Sequence, residues 1–443
     1  MGDVMKRFGT GLAEKWSEAL ASAPRGPEPG WLRELRDTAA DHFRAGGLPH
    51  RKVEAWRYTP MAVFEAFDVA PGAGTLAVGP NMQLPPPVCD RATVLDIRDG
   101  VLLAPPANLP QGVTVLRLAD GLERFEERLR PLFESVELAG ATRAFAALNT
   151  VLARQGLVVH VAEGADAGRL LVRWVFSAGA TASMNHFRLF LLIDGKARLD
   201  LVEQFMSSWG SVGPEVAGLN VLSQAELGVG AQLTHVRVQA ESERAVLLTS
   251  TSVEQAADSR YVYRGFDLGA RLARHELNVR LSGPGAAADL AGAYLLDGER
   301  HTDNYINVEH QAPGCRSEQF FRGVLGGRSR GVFNGRALIR SGADGSSVRQ
   351  SNANLLLSPL AEIDSKPELE IYADEVEASH GATVGQLDET AVFYLRSRGL
   401  DEAAARQMLT TAFCRTVTDR IEGRGLAERI AELMDAAMPV SES

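Results

Sequence analysis

The sequence predicts a mainly β protein with helical segments at both ends. Three observations carry this expectation. From about residue 156 to residue 372, short β-type runs follow one another. No crossover helices stand between them, which disfavours a doubly wound α/β sheet. Apolar residues at helical spacing fill the first and last stretches instead. The β-type runs recur at variable intervals, on the order of 15–25 residues, which suits the irregular coils of a solenoid. A sandwich or a barrel gives the same local pattern, and periodicity leaves these open. A solenoid needs capped ends, and the flanking helical segments are the expected caps.

Taken in order, Phe8, Leu12, Trp16 and Leu20 recur once per helical turn. Pro24, Gly26, Pro27, Pro29 and Gly30 break the pattern. Trp31, Leu32, Leu35, Ala39 and Phe43 resume it until Gly46, Gly47 and Pro49. Residues 70–110 are rich in Gly and Pro and read as loops with short strands such as 94–97. Residues 122–138 and 141–152 read as helices. The clearest β-type runs are 170–176, 187–193, 197–205, 232–238, 245–253 and 268–281. In the last of these, Leu277, Val279 and Leu281 alternate with Arg274, Glu276, Asn278 and Arg280, which predicts a half-buried strand. Near the C-terminus, Asp388 and Asp401 are placed to cap helices, with Gly399 as a stop between them. Leu409, Phe413, Val417 and Ile421 form one stripe. Gly423 and Gly425 interrupt it before a last helix with Leu426, Ile430, Leu433 and Met434.

Composition narrows the function. The chain has 443 residues, with 46 Lys and Arg against 56 Asp and Glu, for a net charge of −10. This balance argues against non-specific nucleic-acid binding and against docking on an anionic membrane. No apolar run reaches the roughly 18 residues of a spanning helix. Asp3, Lys6 and Arg7 occur at the start without the apolar core of a signal peptide. A reduced, cytoplasmic protein is expected. The three cysteines, Cys89, Cys315 and Cys414, are far apart and form no CxxC pair. That excludes a disulfide scaffold, an all-cysteine zinc site and a self-contained four-cysteine iron–sulfur site.

Most short motifs read as structure. No GxxxxGK[ST] loop is present, and Gly283-Pro284-Gly285 does not open a helix, so neither an NTPase nor a dinucleotide enzyme is expected. Gly327-Arg328-Ser329-Arg330-Gly331 matches GxSxG, but a β-type run follows where a nucleophile elbow needs a helix. It reads as a polar turn. Cys414 sits in an amphipathic helix and reads as a small buried side chain, while Cys315 follows the Pro313-Gly314 turn, a position compatible with exposure. His301, Glu309 and His310 are conceivable metal ligands, yet the alternating face of a solvent-exposed strand accounts for them better, because no HExxH-type spacing occurs. Asp303 with Glu309, or Asp364 with Glu370, would be the carboxylate pairs of a carbohydrate-active β-helix enzyme, the alternative reading. His380 stands beside Gly381 after Asp374, Glu375 and Glu377.

The stretch 352–399 reads NANLLLSPLAEIDSKPELEIYADEVEASHGATVGQLDETAVFYLRSRG. It closely resembles the SufB/SufD family of the SUF iron–sulfur cluster assembly machinery. The segments KVEAWRYT (Lys52 to Thr59), LNTVLARQG (Leu148 to Gly156), His301 to His310 and Phe333-Asn334-Gly335 extend the resemblance across nearly the whole chain. The SHGATVG form and the length point to the SufD branch.

The resemblance implies a central right-handed parallel β-helix, a β-solenoid, flanked by N-terminal and C-terminal helical domains. The expected units are 1–155, 156–385 and 386–443. It further implies a non-enzymatic scaffold that pairs with a SufB-like subunit and binds the ATPase SufC, whose P-loop belongs to that partner. His380 matches the family's histidine implicated as an iron or cluster ligand at the SufB interface. Ala378 stands where many members have a cysteine. Phe393, Tyr394, Arg396, Arg398 and Gly399 are expected on the SufC side. No stably bound cofactor is expected, only a transient iron or iron–sulfur cluster shared with SufB. A homodimer, as in a SufB-like homodimeric scaffold, is the expectation for a chain without that partner.

Overall fold

The computed structural model describes residues 2–23, 26–67, 86–98, 101–103, 106, 108–176, 183–207 and 218–439. Of the Gly- and Pro-rich stretch 70–110 read as loops and short strands, residues 70–85, 99–100, 104–105 and 107 lie outside the described residues. The chain opens with helices α1 (Gly2–Ala21) and α2 (Gly30–Gly46), followed by two short 3-10 turns, Glu54–Trp56 and Ala62–Ala66. Strands β1 (Thr93–Arg98), β2 (Val101–Leu102) and β3 (Val113–Arg117) precede helices α3 (Leu118–Glu134) and α4 (Ala144–Leu152). Strands β4 (Gln155–Val161), β5 (Asp166–Phe176), β6 (Met184–Ile193) and β7 (Arg198–Ser207) begin a long all-β run. It continues through β8 (Gly218–Leu227), β9 (Gln232–Ala240), β10 (Val246–Gln255) and β11 (Arg260–Asp267). Then come β12 (Leu272–Leu281), β13 (Ala287–Leu296), β14 (His301–His310) and β15 (Arg316–Leu325). The last are β16 (Arg330–Ile339), β17 (Ser347–Leu356), β18 (Glu362–Ile371) and β19 (Glu377–Gly385).

From β4 onward the chain alternates between two sheets. Even-numbered strands stack in a nine-stranded sheet and odd-numbered strands in a ten-stranded one. Each strand pairs in parallel with the strand two places on, as in β10 with β12 and β15 with β17. This is a two-sheet parallel β-solenoid. The spacing of the β-type runs allowed it without distinguishing it from a sandwich, because the pairing partner lies a full coil away.

The interior is filled by one side of every strand. Trp174 stacks on Phe205 at 5.4 Å and meets Phe187 edge-on. Leu277, Val279 and Leu281 of β12 are buried inside, as their alternation predicts. The expected run 268–281 starts later, however, at Leu272. β11 ends at Asp267, and a tight turn leads into β12. Ala270 takes a positive φ of 63° there, and a Cβ on Gly269 would lie 2.2 Å from the Glu241 carbonyl oxygen. Only glycine permits that close approach.

The helices correct one expectation. They cover the outer flanks of the solenoid instead of capping both of its ends. Trp16, Phe43, Phe64 and Phe145 pack with Val246, Leu248 and Leu272 on the outside of the nine-stranded sheet. At the C-terminus, α5 (Glu389–Ser397), α6 (Glu402–Thr418) and α7 (Arg424–Ala437) cover the ten-stranded sheet. Val392, Cys414, Val417 and Ile430 pack there against Val236, Val238, Phe266 and Val324. Strands in the middle are therefore buried on both faces, which erases the alternation of a one-faced strand. Asp388 and Asp401 cap α5 and α6 by accepting the backbone N–H groups of Thr390 and Ala404, and Gly399 turns with φ +99° between them. Among the described residues, no helix is long and apolar enough to cross a membrane.

Candidate functional site

The final coil of the solenoid is its bare end. β19 is the edge of the ten-stranded sheet and β18 the edge of the nine-stranded one. Every residue of β19 is exposed, and none of β18 is buried. An edge strand carries a row of unpaired backbone N–H and C=O groups, a template for another strand. Tyr372 and Val384 are exposed apolar side chains at this end, at 64% and 52%.

His380 lies on β19 in register with Gln350 of β17. Ala378, two residues away, shares its face and is in register with Val348. Among the described residues, no group of three or more His, Cys, Asp or Glu side chains forms a metal centre. His380 thus offers one exposed imidazole that is not part of such a group. The cysteines do not help. Cys89, Cys315 and Cys414 are all buried. Cys315 is fully buried rather than exposed, because the turn before it folds inward and its sulfur lies 3.4 Å from the Gly283 carbonyl oxygen. Burial raises all three thiols above their ordinary value, so they are poor thiolate donors.

Phe393, Tyr394, Arg396, Arg398 and Gly399 lie on α5 and the turn after it. Phe393 and Tyr394 are 71% and 56% exposed. Arg398 donates to the Tyr394 hydroxyl at 3.3 Å and lies over its ring, while Arg396 pairs with Glu402 at 3.2 Å. Together they make an exposed aromatic and basic patch on α5 and the turn after it.

The residues of β14 form no metal site among the described residues, and its histidines do not face solvent. His301 and His310 are buried, not on a solvent-exposed face. They sit at opposite ends of the ten-residue strand, roughly 30 Å apart at about 3.3 Å per residue. Burial pushes His301 down to about 3 and His310 to about 4. The His310 Nε2 meets the Ser317 hydroxyl at 2.8 Å, and Glu309 pairs with Arg340 at 2.6 Å. The GxSxG serine, Ser329, is buried in the turn between β15 and β16, donating to the Gly326 carbonyl at 2.7 Å.

The carboxylate pairs fail on distance. Members six residues apart on a strand are roughly 20 Å apart, whereas glycosidase pairs need about 5–9.5 Å. A polar groove of about 850 Å³ does run between the N-terminal segment and the nine-stranded sheet. Glu309 and Glu370 line it, but Asp303 and Asp364 do not. Asp303 is buried beneath it in a charge pair with Arg274 and accepts from the Thr59 hydroxyl at 2.5 Å. The Arg274 guanidinium lies 4.1 Å from the Trp56 ring centre. Burial works against its charge, but Asp303 and Glu276 outweigh this and hold it above its ordinary value. The Lys52–Thr59 and His301–His310 segments, distant in sequence, meet at this pair.

A second polar cluster is buried inside the solenoid and has no local sequence signal. Glu203 accepts from Trp174 Nε1 at 3.0 Å and meets His235 Nε2 at 2.8 Å. Arg237 donates to the Tyr263 hydroxyl at 2.8 Å and pairs with Asp267 at 2.8 Å. Asp267 also accepts from Asn304 at 3.0 Å and meets His275 at 3.1 Å. Burial would raise the Asp267 carboxyl, but Arg237 and His275 hold it well below the carboxylate range. Burial, then Arg237, pushes His275 down to about 4. These residues come from successive coils, so only correct stacking assembles them.

Comparison with known proteins agrees with the geometry. The family model described as the SufBD core domain of SUF-system FeS cluster assembly matches residues 175–413, more than half of the chain. The iron-sulfur cluster assembly SufBD family protein slr0076 of Synechocystis sp. is 28% identical over 419 residues, 92% of this chain and 91% of that protein. The iron-sulfur cluster assembly protein SufD of Escherichia coli K12 is 27% identical over 398 residues, 89% of this chain and 90% of its own. Protein ABCI7, chloroplastic, of Arabidopsis thaliana is 25% identical over 440 residues, 94% and 88% of the two chains. Since the core domain spans these same stacked coils, the chain belongs to the SufB/SufD family of iron–sulfur cluster assembly proteins.

Proposed function

We propose that this chain is a SufD-type scaffold of an iron–sulfur assembly complex, working in the cytoplasm. Its bare coil, β18 and β19, pairs with the corresponding end of a SufB-like subunit. The exposed patch on α5 docks a SufC-like ATPase. His380 contributes one ligand to a transient iron or nascent cluster, and the partner brings the sulfur ligands. The observation that supports this most is the exposed His380 on an edge strand with one side open, in a chain whose three cysteines are all buried. A neutral imidazole binds iron and replaces a thiolate on a cluster iron. ATP hydrolysis in the partner would turn the C-terminal helices as a rigid body and alter the paired edges.

The test is His380→Ala in the complex co-expressed with SufB-like and SufC-like subunits. The expected result is an intact complex by mass with strongly reduced iron and cluster content. Normal cluster yield would remove the ligand role. The same edge also fits a second copy, so mass measurement of the chain alone tests for a homodimer.

A further inference from the structure

We infer that Gln350 is the positioning residue of His380: its Oε1 accepts one imidazole N–H, leaving the other ring nitrogen bare toward the open edge. Gln319, Gln350 and His380 occupy successive rungs of one column, on β15, β17 and β19. The column faces the interior, where Gln319 and Gln350 are 1% and 5% exposed. Both amides are held by their nitrogens. Gln319 Nε2 donates to the Arg336 carbonyl at 3.4 Å and Gln350 Nε2 to the Gly335 carbonyl at 3.1 Å. These bonds decide which end of each amide is oxygen. Both Oε1 atoms are buried without a hydrogen-bond partner.

The adjacent columns are different. Asn352 Oδ1 accepts from Ser365 at 2.8 Å and from Asn354 at 2.7 Å, and Asn354 Oδ1 accepts from the Tyr294 hydroxyl. Among these stacked amides only the glutamine column has open acceptors, and it is the column that ends at His380. A buried acceptor left unmade carries its full desolvation penalty. In-register strands about 4.8 Å apart let amides bond rung to rung as a ladder. Each amide nitrogen has two donors, so Gln350 can serve both Gly335 and the Gln319 oxygen. The Gln350 oxygen then has one rung left to accept from, and that rung is an imidazole. A neutral imidazole donates from one nitrogen and accepts at the other. A partner on one side therefore selects the tautomer and orientation, as outer partners do for metal-binding histidines. What this means for iron rests on the proposed role of His380; the ladder itself does not.

The experiment is ¹⁵N-histidine NMR of the full chain at pH 8, with the His380 signals assigned by their loss in His380→Ala. The expected wild-type spectrum shows one tautomer favoured on the order of ten to one. Gln350→Met should collapse this preference toward the free-histidine mixture, while Gln319→Met should largely keep it. A free-histidine mixture in the wild type overturns the inference without any variant. So does an unchanged preference in folded Gln350→Met. Cluster content of the co-expressed His380→Ala complex then separates the two ideas. A tautomer preference lost in Gln350→Met supports the ladder, while a full cluster yield in His380→Ala counts against the ligand role.

Discussion

Arg274 is 2% exposed and yet charged, and its surroundings explain why. It lies between the Trp56 ring and Tyr305 while Asp303 and Glu276 neutralise it. Removing one partner of such a buried pair strands the other. Arg274→Ala is therefore expected to lower stability by about 3–5 kcal/mol, measured by urea unfolding. Replacing both Arg274 and Asp303 with apolar residues of similar volume should recover most of that loss. The sequence pattern placed Arg274 on the outward side of its strand, and it is outward. What the pattern lacked is that the outward side is roofed by a segment from the other end of the chain. His301 and His310 are likewise buried, and the partner of His310, Ser317, stands on the next strand.

At the scale of elements, caps and stripes are local and were legible. Asp401 accepts from the Ala404 N–H at 2.7 Å at the start of α6. Asp401→Ala should cost about 1 kcal/mol without disturbing the solenoid. Differential scanning calorimetry with unchanged β-sheet circular dichroism would check it, and an unchanged melting temperature would count against the cap. Strands were legible as strands but not as neighbours. β6 and β8 are buried on almost every residue, so they lack the alternation that would reveal which face packs on what. The pairing of His380 with Gln350 is non-local in the same way. The histidine stood out through its family resemblance, whereas its glutamine neighbour carries no motif and emerges only from the stacking register.

For the whole molecule, buried histidines set the response to acid. Burial holds His186 and His301 at about 3 and His275 and His310 at about 4, against about 6.5 when unfolded. Below pH 6.5 the unfolded chain takes up protons that the folded chain refuses. Stability is therefore full above that pH and is lost as pH falls toward 4. Glu241 opposes this. Burial raises it to about 7, so between pH 4.5 and 7 the folded state keeps a proton that the unfolded state releases. Its contribution declines as pH rises. Four histidines outweigh one glutamate, each worth roughly 1.4 kcal/mol per pH unit in its window. The urea midpoint should fall clearly between pH 6.5 and 5, and a flat profile would contradict the burial of these rings.

The two ends of the solenoid are unlike. At the first end, β2 is a two-residue strand antiparallel to β1, and β3 runs antiparallel to β4 with α3 packed nearby. Short and reversed edges are poor templates for further stacking. At the last end, β18 and β19 are full-length and uncovered. A stacking unit with one sticky end has a valence of one. In the pairing proposed above, the strand pair that seats on that end would use up the one full-length open edge pair among the described residues, and the stack would stop at two. Parallel coils that could add end to end into filaments would thereby be limited to a closed pair.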